Sequence, residues 1–277
     1  MNRIRFALAA LVIVLSGCRD ETAPRDLTPP AAPRGLFSTT GDGRVTLDWL
    51  GNTESDLAGY KVYTSPCANG PSCPYDFAMA TTNPSAVITG LVNGTTRYFA
   101  VAAYDRAGNE SDLSYEDVFD TPRPAGFALM LGEATAEPTI AGWDFSAFGS
   151  QAFRVPFDGP DTDVFHGVVG TVHYMYAPYV DTDIQDAGYA LSLDAVDWAP
   201  EAGWATDGVV QLIPGHNYVV WTHDNHFAKF RVVSLSDSPA RVTLDWAYQI
   251  STGNPELAAR RPHAEGARVR RTFGPRS

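Results

Sequence analysis

The chain has 277 residues, 44% of them apolar and 12% aromatic, which suffices for two ordinary domains. Its formal net charge of −12 argues against nucleic acid and anionic membrane surfaces as partners. The stretch Ala258 to Ser277 holds six arginines and one glutamate, so the remainder is more acidic than the total.

The first 17 residues have a basic start (Arg3, Arg5) and an apolar run from Phe6 to Leu15, too short to span a bilayer, as in a secretory signal. The ending Leu15-Ser16-Gly17-Cys18 resembles the bacterial lipobox. That resemblance implies cleavage before Cys18, acylation of its thiol and a lipid anchor in a bacterial membrane. The outer membrane or cell surface is the expected location, since Arg19 rather than an aspartate follows the cysteine. An ordinary signal peptide cleaved elsewhere is the alternative. Residues 18–33 carry four prolines and no aromatic, the composition of a tether. With Cys18 lipidated, Cys67 and Cys73 remain close together in an oxidising compartment, which predicts one disulfide. Two thiols with no histidine near them in sequence do not make a four-ligand zinc site.

Residues 34–122 show short alternating strands separated by turn signals, the pattern of an all-β sandwich. Val45, Leu47 and Trp49 are expected to point inward, as are Tyr60 and Val62, and later Phe99, Val101 and Ala103. The segments Pro33-Arg34-Gly35-Leu36, Val45 to Trp49, Asp56 to Tyr63, Leu91 to Thr95 and Ala103 to Ser111 resemble a bacterial fibronectin type III domain. The resemblance implies an immunoglobulin-like sandwich that acts as a spacer or interaction module. Arg97, with Tyr98 beside it, stands where that family usually places a corner tyrosine. Arg44 to Trp49 recurs as Arg241 to Trp246, read as two buried strands of similar pattern, because no repeat period follows.

Residues 123–257 form a second, antiparallel β-rich domain. Phe127, Leu129 and Leu131 alternate, and Ser192 to Ala199 is expected to hold a short helical turn before Pro200. Tyr218 to Thr222 and Phe227 to Val233 read as a hairpin closed by the two-residue turn Asp224-Asn225. That turn would pair His223 with His226, Trp221 with Ala228 and Val219 with Phe230. Arg241 to Gln249 is the third strand of this sheet. Gly215 to Thr222, Asp224, Phe227 to Lys229 and Asp245 to Gln249 resemble the C-terminal part of the HmuY-like family, mainly over 203–249. This family comprises surface lipoproteins with a β-fold, and some members bind haem. No histidine of this chain matches the family's haem ligands. Residues 258–277 read as a disordered basic tail.

His223 and His226, paired across the turn, would sit close enough to share a transition metal, with Asp224 as a third donor. His166 and His173, with Tyr176 nearby, are candidate ligands for a flat cofactor such as haem. Against both stands the solvated surface that polar residues beside a turn usually form. The acidic runs Asp158 to Asp163 and Asp181 to Asp186 offer oxygens suited to calcium, yet neither matches an EF-hand loop. No cofactor is required by any motif. No G-x-S-x-G elbow, phosphate-binding glycine loop or H-E-x-x-H helix occurs, so no enzymatic activity is expected. The reading is a surface lipoprotein with a fibronectin type III spacer and a non-catalytic binding domain for an extracellular protein or glycan. The alternatives are a haem- or metal-binding lipoprotein, and an extracellular hydrolase or its accessory protein.

Overall fold

The computed structural model describes residues 25–68, 72–116, 118–148 and 153–258. The signal segment, Cys18 and the tail beyond Ala258 lie outside the described residues. Among the described residues, no helix is long and apolar enough to cross a membrane.

Period-two alternation builds the first sandwich. Its strands are β1 (Arg34–Gly41), β2 (Arg44–Leu50), β3 (Leu57–Ser65), β4 (Asp76–Thr81), β5 (Ser85–Thr89), β6 (Arg97–Asp105) and β7 (Val118–Asp120). They pair as β1-β2-β5 and β4-β3-β6-β7, the fibronectin type III-like arrangement of three strands against four. Val45, Leu47 and Trp49 are buried against Tyr60, Val62, Phe99 and Val101, as the alternation predicts. The corner that Arg97 leaves without its tyrosine is held by other groups. Gly94 N donates to Pro122 O at 2.7 Å, the Thr96 and Thr121 hydroxyls meet at 2.9 Å, and the Tyr98 ring lies against Phe119. Cys67 and Cys73 form the expected disulfide, their Cα atoms 5.4 Å apart.

A second, larger sandwich follows. Its strands are β8 (Ala125–Gly132), β9 (Gly142–Trp143), β10 (Arg154–Val155), β11 (Val164–Val169), β12 (Val172–Tyr176), β13 (Asp183–Tyr189), β14 (Val209–Gln211), β15 (His216–Trp221), β16 (Phe227–Asp237) and β17 (Ala240–Gln249). One sheet runs β10-β9-β11-β12-β14 and the other β13-β15-β16-β17-β8. Between them Trp143 packs on Phe145, Phe230 and Trp246, and Tyr218 stacks on Phe230 with ring centroids 4.9 Å apart. The expected helical turn is a short 3₁₀ turn, Leu193–Ala195. The two Arg-Val-Thr-Leu-Asp-Trp segments serve as buried strands in separate cores, Val45, Leu47 and Trp49 in one and Val242, Leu244 and Trp246 in the other.

The hairpin register differs from the sequence expectation by one residue. Trp221 pairs with Phe227, Val220 with Ala228, Val219 with Lys229 and Tyr218 with Phe230. The loop has three residues, His223-Asp224-Asn225, and only Asn225 takes a positive φ, 62°. Thr222 N donates to His226 O at 2.9 Å, so His226 lies opposite Thr222 and not His223. A two-residue turn of that hand needs positive φ at both central residues, and here one extra residue absorbs the reversal. The slip exchanges faces. Tyr218, Val220, Ala228 and Phe230 share the inter-sheet core, while Val219 and Phe227 face a smaller cluster with Ala199 and Leu257.

The two sandwiches meet at a buried seam. Thr121, Pro122, Arg123 and Pro124, which connect β7 to β8, are all buried. Arg123 N donates to Gly41 O, Tyr248 N to Pro124 O and the Ser251 hydroxyl to Gly94 O.

Candidate functional site

The antiparallel pairing of β11 with β12 places His166 and His173 diagonally on one face, as i and j−2 neighbours. Both are buried, and their rings lie nearly parallel with centroids 5.1 Å apart. His166 Nδ1 lies 2.8 Å from Gly132 O, His166 Nε2 2.9 Å from His173 Nδ1, and His173 Nε2 3.0 Å from Asp237 Oδ1. Because the Gly132 carbonyl and the Asp237 carboxylate only accept, His166 Nδ1–H donates to the first and His173 Nε2–H to the second, and one proton lies between the facing His166 Nε2 and His173 Nδ1. Burial holds the His166 pKa below its ordinary value. All four ring nitrogens therefore have protein partners. Tyr176 lies on the other face of the strand pair, stacked on Phe165 at 4.8 Å, and does not join the histidines.

The hairpin tip separates the other two histidines by partner. His223 Nδ1 stands 3.6 Å from Asp163 Oδ1, and His226 Nδ1 stands 3.1 Å from Asp224 Oδ2. Asp163 also accepts from Phe145 N at 2.9 Å, and burial pushes its pKa up to about 6. Next to this tip β15 ends in Trp221, which is 38% exposed. Its indole Nε1 donates to Asn225 Oδ1 at 2.9 Å, and its ring stacks on Phe227 with Trp204 alongside. The Trp221 side chain is fixed at the edge of an open hollow of about 390 Å³, bordered by Asp181, Asp183, His223 and Asn225. The shelf offers one aromatic face with hydrogen-bond acceptors and donors around it.

The carboxylates of the two acidic runs do not gather around a point. Asp158 and Asp161 are exposed, Asp163 serves Phe145 and His223, and Asp186 holds His216 at 3.0 Å. Among the described residues, the three carboxylates that come within 4.8 Å of one another are Asp26, Asp56 and Asp105, in the first sandwich and the segment before it. Asp105 already accepts from Asn109 N and Nδ2.

The seam holds a second arrangement that the sequence did not reveal. Lys229, on the face now turned to the smaller cluster, is fully buried. Its ammonium donates to Leu193 O and Val196 O at 2.8 and 3.0 Å and lies 3.6 Å from Asp194, so it clamps the 3₁₀ turn. Burial drives its pKa down. Arg123, 2% exposed, points its guanidinium into the seam, where Nε and Nη1 have no hydrogen-bond partner among the described residues. Asp120, Asp194 and Glu256 surround it electrostatically. Asp120 accepts from the Thr40 hydroxyl at 2.6 Å, and burial raises its pKa. Burial also lifts Glu256, whose carboxylate accepts from Thr121, to about 7. Arg123 borders a cleft of about 160 Å³ that opens between the sandwiches. Its sequence signal was slight: an arginine between two prolines, Pro122-Arg123-Pro124, marks a stiff connector and gives no sign of burial.

No protein-family model matches the chain. It is 34% identical over 119 residues to "Amylopullulanase" of Thermoanaerobacterium saccharolyticum, covering 42% of this chain and 9% of that protein. It is 36% identical over 124 residues to "Chitinase Chi52" of Paenibacillus xylanexedens, covering 42% of this chain and 22% of that protein. The chain thus spans less than a quarter of the length of either relative. A solved Fn3-like protein from Clostridium thermocellum is similar at 25% identity, over 33% of this chain and 92% of that one, with a TM-score of 0.28. The fold of the first sandwich is fibronectin type III-like.

Proposed function

We propose that this protein is a non-catalytic glycan-binding protein of the bacterial surface, in which the fibronectin type III-like sandwich is a spacer and the second sandwich carries the binding face. The observation that carries this reading is the Trp221 shelf. A half-exposed indole, held by its own Nε1 hydrogen bond, presents a flat apolar face. Asp181, Asp183 and His223 stand where a sugar's hydroxyls would meet acceptors and donors. Supporting it, the relatives that share the fibronectin-like stretch are by name glycan-cleaving enzymes, and this chain spans only a small part of their length. The Cys67–Cys73 disulfide suits an oxidising, extracytoplasmic compartment. Acylation at Cys18 would tether the protein to the membrane. In this reading the shelf's carboxylates and imidazole serve as hydrogen-bonding partners of the sugar, so its chemistry is recognition.

The test is retention of the full mature chain on insoluble chitin, cellulose and starch, with release of reducing sugar measured alongside. Retention on at least one of them is expected, with no sugar released. Trp221→Ala should weaken it by about tenfold or more, the loss of one stacked aromatic contact and its ordering of Asn225. Equal retention of wild type and Trp221→Ala, or none on any glycan, would sink this reading.

A further inference from the structure

The second half of the chain keeps its charges apart along the sequence. From Val155 to Ala228 it holds eleven aspartates and glutamates and no lysine or arginine, whereas residues 259–277 hold six arginines and one glutamate. The basic set lies outside the described residues, but the place where it leaves the fold is fixed. Gly253 N donates to Asn225 O at 2.6 Å, so the segment after β17 passes the hairpin tip. Leu257 N and Ala258 N then donate to Asp197 O, and Leu257 packs with Val219 and Phe227, with Trp204 against them. Phe227 and Trp204 are the two rings beside Trp221. The chain therefore leaves the second sandwich next to the Trp221 shelf.

We propose that residues 259–277 are a built-in occupant of the shelf, an arginine-rich segment that covers Trp221 and regulates the access of a glycan to it. The inference rests on the glycan reading above for what is kept out, and on separate observations for the docking. Trp221 keeps part of its indole uncovered, and Asp181 and Asp183 border the same hollow. Neither carboxylate has an ion-pair partner among the described residues. A guanidinium answers both features, because it stacks flat on an indole and donates two parallel N–H groups to a carboxylate. A neighbouring hollow shares Asp183 and adds Asp207, so the acidic surface continues for a second arginine. Reach is not limiting: nineteen residues at about 3.3 Å each extend to about 60 Å. A segment tethered this close is present at an effective concentration on the order of millimolar. With an intrinsic Kd of about 0.1 mM, it would lower the apparent affinity for a glycan about tenfold and still yield to a polysaccharide.

The experiment compares the full mature chain with a variant in which Arg260, Arg261, Arg268, Arg270, Arg271 and Arg276 are all changed to glutamine. Its first readout needs no glycan: the indole N–H resonance of Trp221 in a nitrogen–proton NMR spectrum, identified by its absence from Trp221→Phe. The resonance is expected to differ between the two chains, and in the wild type to move to the variant's position at about 0.5 M salt. A synthetic peptide of residues 259–277 should restore the wild-type position when added to the variant, with a Kd of about 0.1 mM, weakened about tenfold by Asp181→Asn with Asp183→Asn. Identical resonances in the two chains would overturn the proposal. So would a difference that grows with protein concentration, which means that the segment reaches a second molecule, or a peptide affinity indifferent to the two asparagines, which places it elsewhere. The second readout is retention on chitin, cellulose and starch, expected to be about tenfold stronger in the glutamine variant. Equal retention of both chains would overturn the covering of the shelf. If neither chain is retained on any glycan, the glycan reading fails, and the resonance by itself decides whether the segment docks.

Discussion

At the scale of single residues, the seam makes the molecule sensitive to pH in an unusual direction. Glu256 is 6% exposed, and burial lifts its pKa from 4.5 to about 7. Between those values the folded protein holds a proton that the unfolded chain has released, so stability falls as pH rises through this window. The contribution is bounded at about 3.5 kcal/mol, one unit being about 1.4 kcal/mol. Asp163, lifted to about 6, acts in the same direction over a narrower range. Glu256→Gln keeps a hydrogen-bonding group for Thr121 but removes the titration. In urea denaturation near pH 5 and near pH 8, the wild type is expected to lose stability at the higher pH, and Glu256→Gln should reduce that loss by about 2 kcal/mol. A wild type equally stable at both values, or a variant with the same loss, would show that the carboxylate is solvated or fully paired. The histidines have a plainer physics. His166 and His173 satisfy each other, Gly132 and Asp237, which is how buried imidazoles avoid unpaired nitrogens.

At the scale of elements, a rule that reads sequence well also marks where it stops. Alternation identified the inward residues of β2, β3 and β6, since one face of each is core and the other is not. It could not choose the faces of β15 and β16, because both are covered, one by the opposite sheet and one by the 3₁₀ turn and Leu257. The turn had to decide the register, and Asp224-Asn225 fits two loop lengths equally well in sequence. The same one-residue ambiguity hid Lys229 as a buried clamp. The Cys67–Cys73 bridge was legible because both partners lie in one loop. The Trp221 shelf was not, because it is assembled from the ends of two strands and two loops that only the sheet order brings together. A backbone feature of β8 gives a direct test of this level. Ala128 holds φ at 54°, and its N–H donates to Asp245 Oδ1 at 3.0 Å. An L-residue there costs about 1–2 kcal/mol that glycine does not, offset in part by glycine's greater loss of freedom on folding. Ala128→Gly is therefore expected to stabilise the protein by about 0.5–1 kcal/mol in urea titration, with the slope unchanged. Destabilisation would mean that the strand relaxes around alanine without strain.

At the scale of the whole molecule, the question is whether the two sandwiches act as one body or as beads on a string. Their contact is small in sequence terms but dense in kind: a buried connector, the Thr121–Glu256 and Ser251–Gly94 hydrogen bonds, and the packing of Ile250 against Gly94. Two glycines of the first sandwich separate backbone strain from contact across the seam. Gly90 and Gly94 have nearly equal positive φ, 74° and 78°. A Cβ at Gly90 would meet nothing within 4 Å, whereas one at Gly94 would come within 2.8 and 3.0 Å of the Ile250 side chain. Both substitutions to alanine carry the same left-handed penalty, about 1–2 kcal/mol. Gly94→Ala adds the displacement of Ile250, so it is expected to cost about 1 kcal/mol more than Gly90→Ala. Ile250→Ala, which removes both Cγ1 and Cδ1, should relieve that excess in Gly94→Ala and leave Gly90→Ala unaffected, a coupling that a double-mutant cycle reads directly. If the two alanines cost the same and neither couples to residue 250, the sandwiches move independently. In that case the Trp221 shelf, contained within one sandwich, would keep its geometry whatever the other sandwich does.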